Sequence, residues 1–152
     1  PIKDSWLTRR GLRSMGGSMA QQSRTALHIA TWLHERPEVA QVLHPALPDC
    51  PGHTYWKRDF TGAGSLFGVV LNSTYTRQNM EHMINAMRLF GIGASWGGYE
   101  SLVLPTTGGI TRNFGSDQPD APAFRLQIGL ENTQDLIDDL EQAFNALHRS
   151  AA

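Results

Sequence analysis

One arginine of this chain stands in a strand-like pattern, in a position suited to binding a carboxylate. The string "AFRLQIGLE", residues 123–131, alternates strictly, which predicts a strand with one apolar face. That face would carry Phe124, Leu126, Ile128 and Leu130. Arg125 lies on the opposite face, where its planar guanidinium could hold a carboxylate through two parallel hydrogen bonds. It could equally be a solvated charge, and spacing alone leaves both interpretations open.

A second unusual string is "SWGGYESL", residues 95–102. It combines an aromatic side chain, two adjacent glycines and a hydroxyl. Glycines in a strand pattern favour a bend or a close approach of the backbone to another group. Ser95 and Trp96 are therefore candidates for a binding surface, although aromatic packing beside a bend explains the same residues.

Other familiar sites are not indicated by the residue spacing. The six histidines form neither HExxH nor a zinc-type His/Cys cluster, so no metal site is predicted. The short glycine pairs at 62–64 and 91–93 lack the following helix that a phosphate cradle needs. We interpret Cys50 as an incidental loop thiol. Asp59 is expected to be structural, paired with Lys57 or Arg58 or capping a turn.

Length and composition indicate one ordinary globular domain of 152 residues, with 40% apolar and 18% charged residues. The net charge of −1 argues against nucleic acid or an acidic membrane as the main partner. No apolar run reaches the length of a membrane-spanning helix, and no signal peptide is visible. The single cysteine excludes an internal disulfide and suits a reducing compartment, so a cytoplasmic location is expected.

The first third of the chain predicts one long helix, or two in line, capped by Asp4 or Ser5 and stopped by Pro37. Gly16 and Gly17 weaken this prediction locally, by about 1 kcal/mol each relative to alanine. Apolar residues recur at roughly helical spacing: Leu12, Met15, Met19, Leu27, Ala30 and Leu33. A helix this long is expected to connect to something outside the chain.

The remaining elements follow as short strands and two more helices. Strands are predicted within 38–47, at Ser65–Leu71, as a broken strand over 91–105, and at 123–131; a helical turn is predicted at "YWKRDF". Helices are predicted over 76–90 and 131–149, and a long Gly/Pro/Asp loop over 106–122. This order predicts an α+β two-layer domain: a mostly antiparallel sheet with helices on one face, preceded by a long N-terminal connector helix.

Four strings together resemble a known family. They are "TRRGLRSM", "VLHPALPDCPGHTYWKRDFTGAGSLFGVVL", "GIGASWGGYESLVLP" and "RLQIGLE". In this order they resemble the C-terminal part of the cystathionine β-lyases, within the pyridoxal-phosphate-dependent cysteine/methionine metabolism family of aspartate-aminotransferase-like fold. Related γ-synthases and γ-lyases typically carry "SLGG" where this chain has "SWGG", so Trp96 favours the β-lyase branch.

The resemblance implies that residues 1–152 are the single small C-terminal domain of such an enzyme, without its cofactor-binding domain. The implied reaction is β-elimination of cystathionine to homocysteine, pyruvate and ammonia, a transsulfuration step of methionine biosynthesis. Pyridoxal 5'-phosphate would be held mainly by the missing domain. Arg125 aligns with the family's arginine for the substrate α-carboxylate, and Ser95 and Trp96 align with the residues that help to position it.

The same resemblance implies that catalytic and cofactor-binding residues are absent from this chain. Its two lysines, Lys3 and Lys57, do not stand in a Schiff-base context, so the chain alone is expected to be inactive. The intact enzyme is expected to be a homotetramer. Two alternatives stay open: the corresponding domain of a cystathionine γ-lyase or γ-synthase, and a non-enzymatic module that binds a partner.

Overall fold

The structure is a computed structural model that describes residues 1–108 and 121–151. Four helices and five strands follow one another along the chain. Their bounds are α1 Ile2–His34, β1 Val39–Leu43, α2 His53–Asp59, β2 Leu66–Leu71, α3 Arg77–Ala86, β3 Gly91–Ile92, β4 Leu102–Pro105, β5 Ala123–Gln127 and α4 Thr133–Ala151. The predicted α+β class is confirmed. The predicted loop over 106–122 lies mostly outside the described residues.

The five strands form one mixed sheet in the order β1-β2-β5-β4-β3. β5 is its centre and pairs antiparallel with both β2 and β4. β1 pairs antiparallel with β2, whereas β3 pairs parallel with β4. The central position of β5 means that Arg125 is flanked on both sides, by Gly68 of β2 and Leu104 of β4.

One face of the sheet and three helices share a single hydrophobic core. From β5, Phe124 and Leu126 are fully buried, as the alternation predicts. One apolar face of α4 is also buried, with Leu136, Ile137, Leu140, Phe144 and Leu147. Asn132 accepts hydrogen bonds from the backbone N–H groups of Gln134 and Asp135, and so caps the beginning of α4. Arg125, on the other face of β5, is left out of this core.

Helix α1 is continuous through Gly16 and Gly17, which confirms one long helix rather than two in line. Helix propagation is cooperative, and two unfavourable residues do not break a helix of 33 residues. The predicted capping by Asp4 or Ser5 is wrong, because α1 begins at Ile2. Its end at His34 agrees with the stop expected from Pro37.

The apolar residues at helical spacing on α1 are buried only in its second half. Ala30 and Leu33 are fully buried, with Ala26 and Ile29 beside them. The earlier part of the helix extends beyond the sheet, so its apolar residues are exposed. These include Leu12, Met15 and Met19, at 58%, 49% and 55% exposure, and Leu27, which points off the stripe.

Two further expectations need correction. The turn at "YWKRDF" is a helix of two turns, α2, and the broken strand is two separate strands, β3 and β4. Leu130 is exposed because β5 ends at Gln127 and the alternation stops with it. Gln127 is on the face opposite the core yet is 1% exposed, since its amide accepts from the Ser65 hydroxyl and donates to the Ile128 carbonyl.

The buried carboxylate of Glu38 joins the segment after α1 to helix α4. Glu38 is 3% exposed and accepts hydrogen bonds from Arg36 at 2.8 and 3.0 Å and contacts His148 Nε2 at 2.8 Å. Burial raises the pKa of this carboxyl, but the hydrogen bonds and the Arg36 charge outweigh it, and the net pKa of Glu38 is lowered. The contacts tie the segment after α1 to the C-terminal end of α4.

Candidate functional site

Arg125 is held at the open face of the sheet by backbone carbonyls. Its Nη2 donates to the Ala94 carbonyl at 2.9 Å and contacts the Ser95 carbonyl at 3.5 Å. Because β5 is the central strand, the Arg125 backbone cannot shift without disturbing two ladders. Arg125 is therefore held both at its backbone and at its guanidinium group.

Toward the described residues, the guanidinium of Arg125 leaves donors unused. Among residues 1–108 and 121–151, no carboxylate lies within 4.0 Å of it, and neither Nε nor Nη1 makes a hydrogen bond. The side chain is half-buried. A partly desolvated guanidinium without an acidic partner is a suitable receptor for a planar anion, since Nε and Nη donors match the two oxygens of a carboxylate.

Ser95 and Trp96 lie beside this arginine, but in different ways from each other. Ser95 reaches Arg125 through its backbone carbonyl, and its side chain is exposed. The Trp96 side chain is 64% exposed and lines a neighbouring cleft. The structure thus brings Ser95 to Arg125 directly and places Trp96 one residue further along the same loop.

The cleft next to Trp96 has a volume of about 430 Å³ and lies between α1, the beginning of β2 and the end of β5. Met15, Met19 and Gln22 of α1 form one wall. The other walls come from residues 63–66, Trp96, Gly97 and Gln127. Gln127 follows Arg125 by two residues on the same face of β5, which is about 7 Å along a strand. The cleft and the arginine are therefore neighbours.

The loop 94–100 that carries Ser95 and Trp96 is held by further long-range contacts. Gln22 donates its side-chain amide to the Gly98 carbonyl at 2.6 Å, and Leu130 N–H donates to the Tyr99 carbonyl at 2.8 Å. Gly97 has a φ of 83°, a left-handed conformation that favours glycine. A Cβ at Gly98 would meet no other atom within 4 Å. Only the first glycine of the pair is thus required by the backbone.

Ser101 and Glu131 close the far end of this loop. The two carboxylate oxygens of Glu131 accept from the Ser101 N–H and the Ser101 hydroxyl, both at 2.8 Å. The Ser101 oxygen in turn accepts from Gly129 N–H at 2.9 Å. The sequence pattern did not single out Gln22, Ser101 or Glu131, because their partners are distant in the chain. The one hint in the sequence was that Glu131 lies a few residues after the strand that carries Arg125.

The residues excluded as sites by the sequence show ordinary structural roles. Asp59 pairs with Arg58 at 2.7 Å on the surface. Burial, and then the charge of Asp49, raise the pKa of the Cys50 thiol, which disfavours the reactive thiolate. Within the described part of the chain, no three His, Cys, Asp or Glu side chains are grouped to hold a metal ion. Nor is any described helix both long and apolar enough to cross a membrane.

The lysines do not form a site for pyridoxal phosphate. Lys3 is exposed in the first turn of α1, and Lys57 is exposed on α2. Neither lysine lines the cleft beside Trp96. A Schiff-base lysine needs an enclosed pocket that also holds the cofactor, and the described residues do not provide one around either amine. Neither lysine of the described residues is therefore placed to form a Schiff base.

Comparison with known proteins supports the resemblance of the four strings. A family model described as "Cys/Met metabolism PLP-dependent enzyme" matches residues 1–145. The chain is 42% identical over 143 residues to cystathionine beta-lyase MetC of Escherichia coli K12, covering 92% of this chain and 36% of that protein. It is 38% identical over 145 residues to an L-alanine/L-glutamate racemase of Wolbachia pipientis, covering 95% of this chain and 36% of that protein.

A solved structure shows the same fold. The crystal structure of metB from Corynebacterium glutamicum superimposes with a TM-score of 0.82 at 31% identity, covering 97% of this chain and 38% of that chain. The chain thus spans a little over a third of the length of the relatives that it matches. The activity of the whole protein is accordingly a matter for proposal.

The comparison corrects one expectation and establishes the family. The interpretation as a C-terminal domain is wrong by this comparison, which assigns the matched 36% of the relatives to their N-terminal part. That interpretation depended on resemblance between short strings, which carry no measure of position within a longer chain. The cofactor expected for the family, pyridoxal 5'-phosphate, agrees with the matched model. With residues 1–145 matched, the chain belongs to the Cys/Met metabolism PLP-dependent enzymes.

Proposed function

We propose that this chain is part of a pyridoxal-phosphate-dependent carbon–sulfur lyase of the cystathionine β-lyase type, and that Arg125 binds the α-carboxylate of its amino-acid substrate. One observation supports the carboxylate site above all. The guanidinium is half-buried, fixed by the Ala94 carbonyl at 2.9 Å, and without an acidic partner among the described residues.

In this proposal the chain's own residues bind and orient the substrate. Arg125 offers its Nε and Nη donors to the two carboxylate oxygens. The Ala94 and Ser95 carbonyls keep the guanidinium plane aimed at the same place. Trp96 and the two methionines of the cleft give an apolar, polarizable wall suited to a thioether side chain. Pyridoxal phosphate, when bound elsewhere in the complete enzyme, supplies the electron sink for chemistry at the substrate Cα.

The test is a pair of substitutions in the complete enzyme that contains this chain. Arg125→Ala should lower kcat/KM for cystathionine roughly 30- to 1000-fold, which corresponds to a loss of about 2–4 kcal/mol in transition-state stabilisation. The reason is that both the charge-assisted hydrogen bonds and the orientation they give are lost. Arg125→Lys keeps the charge but not the fork, and should recover only part of this loss. An unchanged kcat/KM in Arg125→Ala would remove Arg125 from the site.

A second activity is supported by one relative. The racemase of Wolbachia pipientis is 38% identical over most of this chain. A racemase also needs to hold an amino-acid carboxylate, so the Arg125 site fits both reactions. Product analysis separates them: pyruvate from cystathionine indicates the β-lyase, 2-oxobutyrate a γ-lyase, and loss of optical activity from alanine or glutamate without a keto acid indicates racemisation.

The same proposal includes the setting of the complete enzyme. Homotetrameric assembly rests on the family resemblance alone and is checked by light scattering on the complete enzyme. A cytoplasmic location is supported by the single cysteine, Cys50, which is free. Localisation of a tagged complete protein in its own cells tests it.

A further inference from the structure

We infer that Glu131 is a positioning residue for the Arg125 site: it locks the loop 94–101 onto the segment that directly continues the strand carrying Arg125. This inference rests on the proposed function, since it assigns a residue that orients the same carboxylate clamp. Glu131 does not touch the proposed ligand position. It acts on Arg125 through the loop.

The loop is attached at both of its ends to the segment that runs from Arg125 to Glu131. The loop is attached near its beginning by Arg125, which donates to the Ala94 carbonyl, and at its end by Glu131, which accepts twice from Ser101. Arg125 and Glu131 are six residues apart on one continuous segment. The loop and this segment therefore form a closed frame, with Arg125 attached near the beginning of the loop and Glu131 at its end.

The Glu131 attachment is dense and buried. Ser101 is 1% exposed. Its hydroxyl donates to Glu131 and accepts from Gly129 N–H, so the three residues are linked in one chain of hydrogen bonds. Tyr99 adds a backbone bond from Leu130 N–H at 2.8 Å. Hydrogen bonds to an ionised acceptor are shorter and stronger than neutral ones, and here one carboxylate orients both a backbone and a side-chain donor.

Gly129 packs tightly against the loop and against the Glu131 carboxylate. A Cβ built there would lie 2.5 Å from a Glu131 carboxylate oxygen and 2.6 Å from the Glu100 carbonyl carbon. The loop and the segment that follows β5 are therefore in close backbone contact at Gly129. A shift of the Glu131 end would pass directly into the loop and move the Ala94 and Ser95 carbonyls that aim Arg125.

The experiment is a double-mutant cycle in the complete enzyme, with kcat/KM for cystathionine as the readout. Glu131→Gln should lower kcat/KM about tenfold, mostly through KM, since it weakens one of the two acceptor contacts. In an Arg125→Ala background the same substitution should lower kcat/KM less than about twofold, because the group it positions is gone. Glu100→Gln, an exposed acid in the same loop, is the matched control and should stay within about twofold of the parent.

The outcomes separate the inference from the function it rests on. If Glu131→Gln has no effect, or lowers kcat/KM equally in both backgrounds, Glu131 is merely structural and the inference fails. If Arg125→Ala itself leaves kcat/KM unchanged, the proposed function fails. Should Glu131→Gln not fold, Ser101→Ala replaces it in the cycle, because it removes the two hydrogen bonds of the hydroxyl, to Glu131 and from Gly129 N–H, and keeps the backbone bond to Glu131.

Discussion

Three glycines around the loop test how tightly it is held against the Arg125 strand. The perturbation is an added methyl group, as alanine, at Gly129, Gly97 and Gly98 in turn. At Gly129 the new Cβ would meet a Glu131 carboxylate oxygen at 2.5 Å and the Tyr99 carbonyl oxygen closer still. Both neighbours are themselves tied by hydrogen bonds, to Ser101 and to Leu130 N–H, so neither can move away cheaply.

The expected costs differ for physical reasons that the structure separates. Gly129→Ala should lower the free energy of unfolding by about 2–3 kcal/mol, as overpacking. Gly97→Ala should cost about 1 kcal/mol, because its φ of 83° is strained for alanine while the surrounding space is open. Gly98→Ala has neither problem and should lie within about 0.5 kcal/mol of the parent.

Urea unfolding followed by circular dichroism measures these costs, with melting temperature as a second readout. For a chain of this size, each kcal/mol corresponds to about 2–4 °C. The predicted order of destabilisation is therefore Gly129, then Gly97, then Gly98. If Gly129→Ala is as stable as Gly98→Ala, the backbone contact between the loop and the segment that follows β5 is not present in solution, and the inference about Glu131 loses that support.

Two further predictions follow from the electrostatics. The pKa of Glu38 is lowered in the folded protein, so its contacts with Arg36 and His148 stabilise the fold above its unfolded pKa near 4.5. This stability is lost as the pH falls below that value through the folded pKa, and Glu38→Gln should flatten unfolding curves measured between pH 6 and about pH 3. The pKa of Cys50 is raised by burial and by Asp49. Its reaction with a thiol reagent at about pH 8 should be slower than that of free cysteine, and Asp49→Asn should speed it.

Each of these two predictions has a matched control substitution. Glu81 forms an exposed pair with Arg77, so Glu81→Gln should leave the acid side of the stability profile unchanged. If Glu38→Gln shows the same profile as Glu81→Gln, the buried carboxylate does not contribute as described. For Cys50 the control is Asp4→Asn at the opposite end of α1, about 45 Å away along the helix. An equal rate increase from both substitutions would contradict a local effect of Asp49.

Local patterns predicted the elements whose two faces differ most. The alternation around Arg125 placed it opposite the core, and the stripe of α4 identified its buried face, because both elements pack along their whole length. The stripe on α1 is buried only in its second half, because only that half meets the sheet. A sequence pattern shows which face of a helix is apolar but not how far the neighbouring layer extends.

The sequence identified the candidate residues of the site but did not predict the contacts between them. Arg125, Ser95 and Trp96 came from residue type, from the string "SWGGYES" and from family resemblance. That Ser95 contributes a carbonyl, and that Glu131 binds Ser101 across thirty positions, could not be predicted. Such contacts are set by strand register and loop path, which depend on the whole fold.

A crystal structure of the complete enzyme with a bound, unreactive amino-acid analogue of cystathionine is the most direct test of the central claim. The account predicts that the analogue's α-carboxylate lies about 2.7–2.9 Å from two nitrogens of the Arg125 guanidinium. The Ala94 carbonyl should keep its contact with Nη2 in that complex. A carboxylate bound by other residues, with Arg125 facing solvent, would contradict the claim.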